Sequence, residues 1–244
     1  MDDYEINLKA EELRRTWGVD NYCPIDILSM AMKNIDNLTI VWFPIANEIS
    51  GCCTKTDKDN IIILNSNHSK GRQNFTIAHE LYHLLYDNNR TSFICNINSD
   101  DVNEKIADKF ASYLLIPTCA LKEYAKKYNI ITWKLKDIIK CEQYFQISHM
   151  TMLCKLRREK LISYDKFIEY KDHVTKKARI LGYDTSLYEK TRKYYSLGKI
   201  IPLSKLAYDN NKITGGKYDE ILLNVFRGDI VYNLDEEEED ILLQ

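Results

Sequence analysis

The sequence is poor in the two residues that loosen a chain, with 8 glycines and 4 prolines among 244 residues. Long flexible linkers are therefore excluded as an organising feature. An excess of charge of either sign is also missing. Lysine and arginine number 34 against 36 aspartates and glutamates, a net charge of -2. That balance provides no general field for nucleic acid or for an anionic membrane surface. No apolar run approaches the ~20 residues of a membrane-spanning helix. The start, Met1-Asp2-Asp3-Tyr4-Glu5, is acidic and has no apolar segment behind it, so no signal peptide is expected. The 7 cysteines are odd in number and scattered, Cys52 and Cys53 are adjacent, and none forms Cys-x-x-Cys. A reduced, cytoplasmic protein is expected.

What is present is one chemically loaded stretch, Phe75-Thr76-Ile77-Ala78-His79-Glu80-Leu81-Tyr82-His83-Leu84-Leu85. It places His-Glu-x-x-His inside an apolar, helix-compatible run. Residues four apart share a helix face, so His79 and His83 can aim two imidazoles at one point. Zn²⁺ needs that of two of its ligands. Glu80 follows the first histidine, where it can hold a water at the metal and accept its proton.

The flanking chain reads as the apparatus around this helix. Helices are expected over Leu8 to Trp17 and from Pro24 through Met32. Leu38 to Phe43 is β-branched and aromatic and stops at Pro44, which predicts a strand. Ile49 to Thr54 predicts a second, with Gly51 as a bulge or a point of close approach. Ile61-Ile62-Ile63-Leu64-Asn65 predicts a third, and the short connections imply a small, largely antiparallel sheet. The histidine helix is expected from Gly71 to Tyr86, ending at Asp87-Asn88-Asn89. A loop through Asn98 and Ser99 then leads to a helix from Val102 to Leu115, closed by Pro117.

A catalytic zinc site needs a third protein ligand and keeps one position open. Glu104 follows His83 closely enough for the chain to turn and lay a second helix across the first. It is the leading third donor, with Asp87, Asp100 and Asp101 as competitors. Asp108, four residues beyond Glu104, can accept the free ring N–H of a metal-bound histidine. Among the other histidines, His68 and His173 read as surface or loop residues, as does His149. An alternative use for His149 is stabilising a transition-state oxyanion.

The stretch Phe75 to His83, with Glu104-Lys105-Ile106-Ala107-Asp108-Lys109-Phe110-Ala111-Ser112-Tyr113-Leu114-Leu115-Ile116-Pro117, resembles the ImmA/IrrE family of metallopeptidases. The resemblance covers about residues 20 to 160. It implies zinc ligands at His79, His83 and Glu104 and a catalytic base at Glu80. It further implies an intracellular zinc endopeptidase acting on a helix-turn-helix repressor or antitoxin-like regulator encoded nearby, often on a mobile element. Two positions depart from the pattern: Tyr82 stands where glycine is frequent, and Asp108 where asparagine is common. The last part of the chain does not resemble the sensor domain of the longer, radiation-response members.

The fold class expected is α+β. A zincin-like core with a small antiparallel sheet and the His-Glu-x-x-His helix spans residues 1–120. A helix-turn-helix-like unit covers 121–163. A helical region with an acidic run, Asp235 to Asp240, covers 164–244. In the middle unit Leu135, Ile138, Ile139 and Phe145 give one amphipathic helix, and Ser148 caps a second that carries Lys155, Arg157, Arg158 and Lys160 outward. Direct DNA binding by that unit is the minor reading; packing against the peptidase core is the major one. Ile61, Ile62, Ile63 and Leu64, if they lie at the sheet edge, are expected to pair with an extended substrate segment. The competing function is a non-catalytic module that sequesters a partner and keeps zinc as a structural element.

Overall fold

The computed structural model describes residues 1–87, 92–96 and 101–234, the strand 92–96 by its backbone alone. The expected helix end at Asn88-Asn89, the loop at Asn98-Ser99, the candidate donor Asp100 and the acidic run 235–240 lie outside those residues. The architecture is mixed α+β. The order is α1 (Asp3–Thr16), α2 (Ile27–Asn34), β1 (Leu38–Phe43), β2 (Ile49–Lys55), β3 (Asn60–Asn65), α3 (Lys70–Tyr86), β4 (Ser92–Asn96) and α4 (Val102–Leu115). There follow α5 (Thr118–Lys127), α6 (Leu135–Phe145), α7 (His149–Arg158), α8 (Tyr164–Tyr170), α9 (Val174–Ile180), β5 (Tyr195–Gly198), α10 (Ile200–Asp209), α11 (Gly215–Asn224) and α12 (Gly228–Tyr232).

The sheet has five strands in the order β4-β2-β3-β1-β5. The β2–β3 hairpin is antiparallel, as are β2–β4 and β1–β5, but β1 and β3 run parallel. The sheet is thus largely antiparallel, as expected, with β1–β3 the one parallel pair among the described strands. The cause is the β1–β2 connection, which crosses the end of β3. Buried Asn65 holds it there, donating from Nδ2 to the carbonyls of Ala46 (3.0 Å) and Ile49 (2.8 Å) and accepting from Ile45 N. A correction follows from the order. β3 is paired on both sides, so Ile61, Ile62, Ile63 and Leu64 offer no open backbone edge to a substrate. The outer strands are β4 and β5.

Smaller differences have local causes. The second helix begins at Ile27 rather than Pro24, because Asp26 is the residue that caps it, accepting from Ser29 N. In α1 the buried face is Ile6, Ala10, Leu13 and Arg14, and Leu8 is exposed. Two strands, β4 and β5, have no counterpart among the predicted elements, and Gly215-Gly216 open α11.

One apolar core runs from Ile6 to Tyr170, drawing on the sheet, α3, α4 and the α6–α7 pair. Arg14 is fully buried inside it. Its guanidinium donates to the carbonyls of Leu114 (2.6 Å), Asp20 (2.6 Å) and Cys23. It thus ties α1 and the following loop to the carboxyl end of α4, where helix carbonyls lack partners. Burial lowers its pKa to about 10, which leaves it cationic at neutral pH.

Candidate metal centre

Helix α3 is pinned to the sheet at both ends. Near its start, the buried Gln73 accepts from Trp42 Nε1 (2.9 Å) and donates to the carbonyl of His68 (2.8 Å). At its end, Lys55 on β2 donates to the carbonyl of Leu84 (2.9 Å), a cation at the negative pole of the helix. Between these points α3 lies unusually close to β2. A Cβ on Gly51 would fall 2.7 Å from the Ile63 carbonyl oxygen, 2.8 Å from Thr76 Cγ2 and 3.4 Å from Glu80 Oε1. The register also slips between Ile49 and Gly51, so both sequence readings of this glycine apply.

Helix α4 crosses α3 and is held by aromatic packing. Tyr82 is buried, with its ring 5.5 Å from that of Phe110. That contact fills the place where a glycine would leave a gap. The crossing brings Glu104 over the histidine pair. His79 Nε2 lies 3.2 Å from Glu104 Oε2, His83 Nε2 lies 3.3 Å from Glu104 Oε1, and the two Nε2 atoms are 3.3 Å apart.

These three separations test the fit to a metal. Four ligands at ~2.0–2.1 Å in a tetrahedron are ~3.3–3.4 Å from one another. The two imidazole nitrogens already stand at that spacing, and each has one of the two Glu104 oxygens at a like distance. The far sides of the rings are occupied too. His79 Nδ1 is 2.9 Å from Asp108 Oδ1, and His83 Nδ1 is 3.6 Å from Asp87 Oδ2. Carboxylates on the Nδ1 sides favour N–H there and turn the Nε2 atoms toward one point, an arrangement suited to holding a cation. Electrostatics agrees. Burial works against a charged His79, but hydrogen bonds to Asp108 and Glu104 outweigh it and raise its pKa to about 10. Burial likewise disfavours a charged Glu104, and the two imidazoles overcome that and hold it at about 2. The pocket draws in positive charge.

Glu80 is fully buried beside this triad, with the buried Cys53 thiol in its electrostatic neighbourhood. Burial, then Glu80, raise the Cys53 pKa, so the thiol stays protonated. Asp87 and Asp101 are not third donors. Asp87 backs His83, and Asp101 caps α4 by accepting from Asn103 N at 2.7 Å. Sequence reasoning missed the role of Asp87, although its i+4 spacing from His83 repeats that of Glu104 and Asp108.

His79 and Asp108 open onto a cleft of about 450 Å³ between α3 and the amino end of α7. His149 lines it, yet it is buried and engaged on both nitrogens, by Glu142 (2.8 Å) and the Tyr170 carbonyl (3.0 Å). It joins α6, α7 and α8 and has no nitrogen left for an oxyanion. His68 is also buried, with Nε2 against the Asn47 carbonyl. His173 is exposed, as expected.

The α6–α7 pair is docked on the core. A Cβ on Gly71 would lie 2.8 Å from Ser148 N, and Asn74 donates to the Gln146 carbonyl. Lys155, expected outside, is fully buried and reaches Thr118 Oγ1 (2.9 Å) and Glu159 (2.9 Å). Burial lowers its pKa to about 8. Arg158 bonds Ser112, and Arg157 lies over the Tyr164 ring at 4.7 Å.

These features define a His-Glu-x-x-His site with a glutamate as third donor, set in an α+β core. Residues 39–157 match the family described as the IrrE N-terminal-like domain, Peptidase M78. That match, together with the three converging donors, supports a place in the ImmA/IrrE family of metallopeptidases. No curated protein matches it. Among the described residues, no helix is long and apolar enough to cross a membrane.

Proposed function

We propose that this protein is a zinc-dependent endopeptidase of the cytoplasm. Its expected target is a helix-turn-helix repressor or antitoxin-like regulator, whose cleavage lifts repression. The observation carrying the reading is the convergence of His79, His83 and Glu104 on one point with Glu80 alongside.

When bound, Zn²⁺ supplies a Lewis acid that polarises the scissile carbonyl and acidifies the attacking water. The chain's residues do the rest. Asp108 and Asp87 fix the ring orientation of His79 and His83. Glu80 accepts the proton of the attacking water and returns it to the leaving amine nitrogen. Its buried seat against β2 holds the carboxylate in one place, which proton transfer requires. With β3 interior, the outer backbone of β4, next to the Gly51 strand, is the better candidate for pairing with an extended substrate. The repressor as target rests on the family resemblance.

The test is Glu80→Gln, which should keep zinc and abolish cleavage of the partner it captures. Undiminished cleavage would refute the base. Repression relieved by that variant without cleavage would favour sequestration instead.

A further inference from the structure

We propose that Arg72 makes the cleft a receptor for a substrate carboxylate, two to three residues from the scissile bond. This deepens the peptidase reading and rests on it. Arg72 precedes Thr76 by four residues and His79 by seven, so it lies on the face of α3 that carries the metal donors. It lines the same cleft as His79 and Asp108. The side chain is half-buried, and its hydrogen bond to another side chain is to Ser50 Oγ, at 3.3 Å. Among the described residues no carboxylate lies within 4.0 Å of its guanidinium. Asp108 acts on it only from a distance and is already committed to His79.

A partly desolvated cation without a counter-charge is costly unless something supplies one. The opposite wall does not. Ser148, Thr151 and Lys171 face the cleft there, and α7 begins there, presenting the positive end of its dipole. The cleft is therefore polarised, with carboxylates at the metal end and positive charge at the other. A guanidinium binds a carboxylate by paired, charge-assisted hydrogen bonds. Seven residues of helix span ~10 Å, and an extended peptide covers ~3.3 Å per residue, which sets the two-to-three-residue offset.

The carboxylate can come from an aspartate or glutamate side chain or from a free chain end. Zinc-loaded Glu80→Gln protein, full length, would be incubated with two randomised peptide libraries, one amidated and one with free carboxyl ends. Retained peptides would be read by mass spectrometry. Acidic residues enriched in both libraries identify the side chain as the source. Retention confined to the free-ended library identifies the terminus. In either case Arg72→Gln should lower retention of carboxylate peptides relative to their amide counterparts about tenfold or more. Arg72→Glu should shift the preference toward lysine and arginine. Melting temperature and zinc content confirm that these variants fold. Equal selection by the parent and Arg72→Gln, or no retention above the Arg72→Gln level, overturns the proposal. Cleavage of the same libraries by the Glu80 protein tests the peptidase reading separately, because retention needs no turnover.

Discussion

Gly51→Ala should be far more damaging than a single methyl suggests. The new Cβ would meet the Ile63 carbonyl oxygen at 2.7 Å and Thr76 Cγ2 at 2.8 Å. Ordinary contacts begin near ~3.5 Å, so about 0.8 Å must be found on the Ile63 side and about 0.7 Å on the Thr76 side. Ile63 is the neighbouring strand's backbone and cannot yield without breaking the ladder. Thr76 is β-branched, and its hydroxyl is bonded to the Arg72 carbonyl at 3.1 Å, so rotation offers little relief. Helix α3 must lift from β2 and carry Glu80 and both histidines with it. Overpacking of this kind costs ~1–3 kcal/mol. For a chain of this size each kcal/mol lowers the melting temperature by about 2–4 °C. A fall of about 2–12 °C is expected by calorimetry. A displacement approaching 1 Å at Glu80 should cost up to ~10²-fold in turnover. Gly216→Ala is the control, because nothing lies within 4 Å of its Cβ position and it sits in a helix. It should be neutral or slightly stabilising. If Gly51→Ala melts no lower than the parent and the Gly216→Ala control, the close approach of α3 to β2 is wrong.

Two further outcomes test the surroundings of the site. Asp108→Ala should weaken zinc binding about 10- to 100-fold in competition with a chromogenic chelator. Asp87→Ala should do less, since its contact is longer, and unchanged affinity in both would deny the carboxylates their orienting role. The second outcome concerns pH. Burial opposes a charged His149, but Glu142 and the Tyr170 carbonyl outweigh it, so its pKa is raised above 6.5. Protonated His149 then adds stability that is fully present below 6.5 and lost as the pH rises through the higher folded value. The urea midpoint of His149→Gln should trail the parent most at low pH and converge with it on going alkaline. A constant gap between about pH 5 and 9 would refute the pairing.

The sequence was legible where chemistry and local periodicity coincide. β1, α4, the Ser148 cap and the limits of α3 are set by caps, apolar spacing and β-branched runs that act within a few residues. The donor set His79, His83 and Glu104 was legible for the same reason: two i+4 steps on two amphipathic helices leave few other arrangements. The sheet order was not legible. A parallel β1–β3 pair depends on where the β1–β2 connection crosses, and that depends on Asn65 bonding residues distant in the chain. Likewise β5 pairs with β1 across most of the sequence, and its four residues carry no pattern of their own. Lys155 and His149 looked like surface groups because charge predicts exposure. Partners from other helices, Thr118 for one and Tyr170 for the other, made burial tolerable. Residue order alone thus determined which side chains are candidates to meet as metal donors. Tertiary structure decided which backbone edges stay open and which charges stay unpaired in the cleft, because both depend on contacts between segments far apart in the chain.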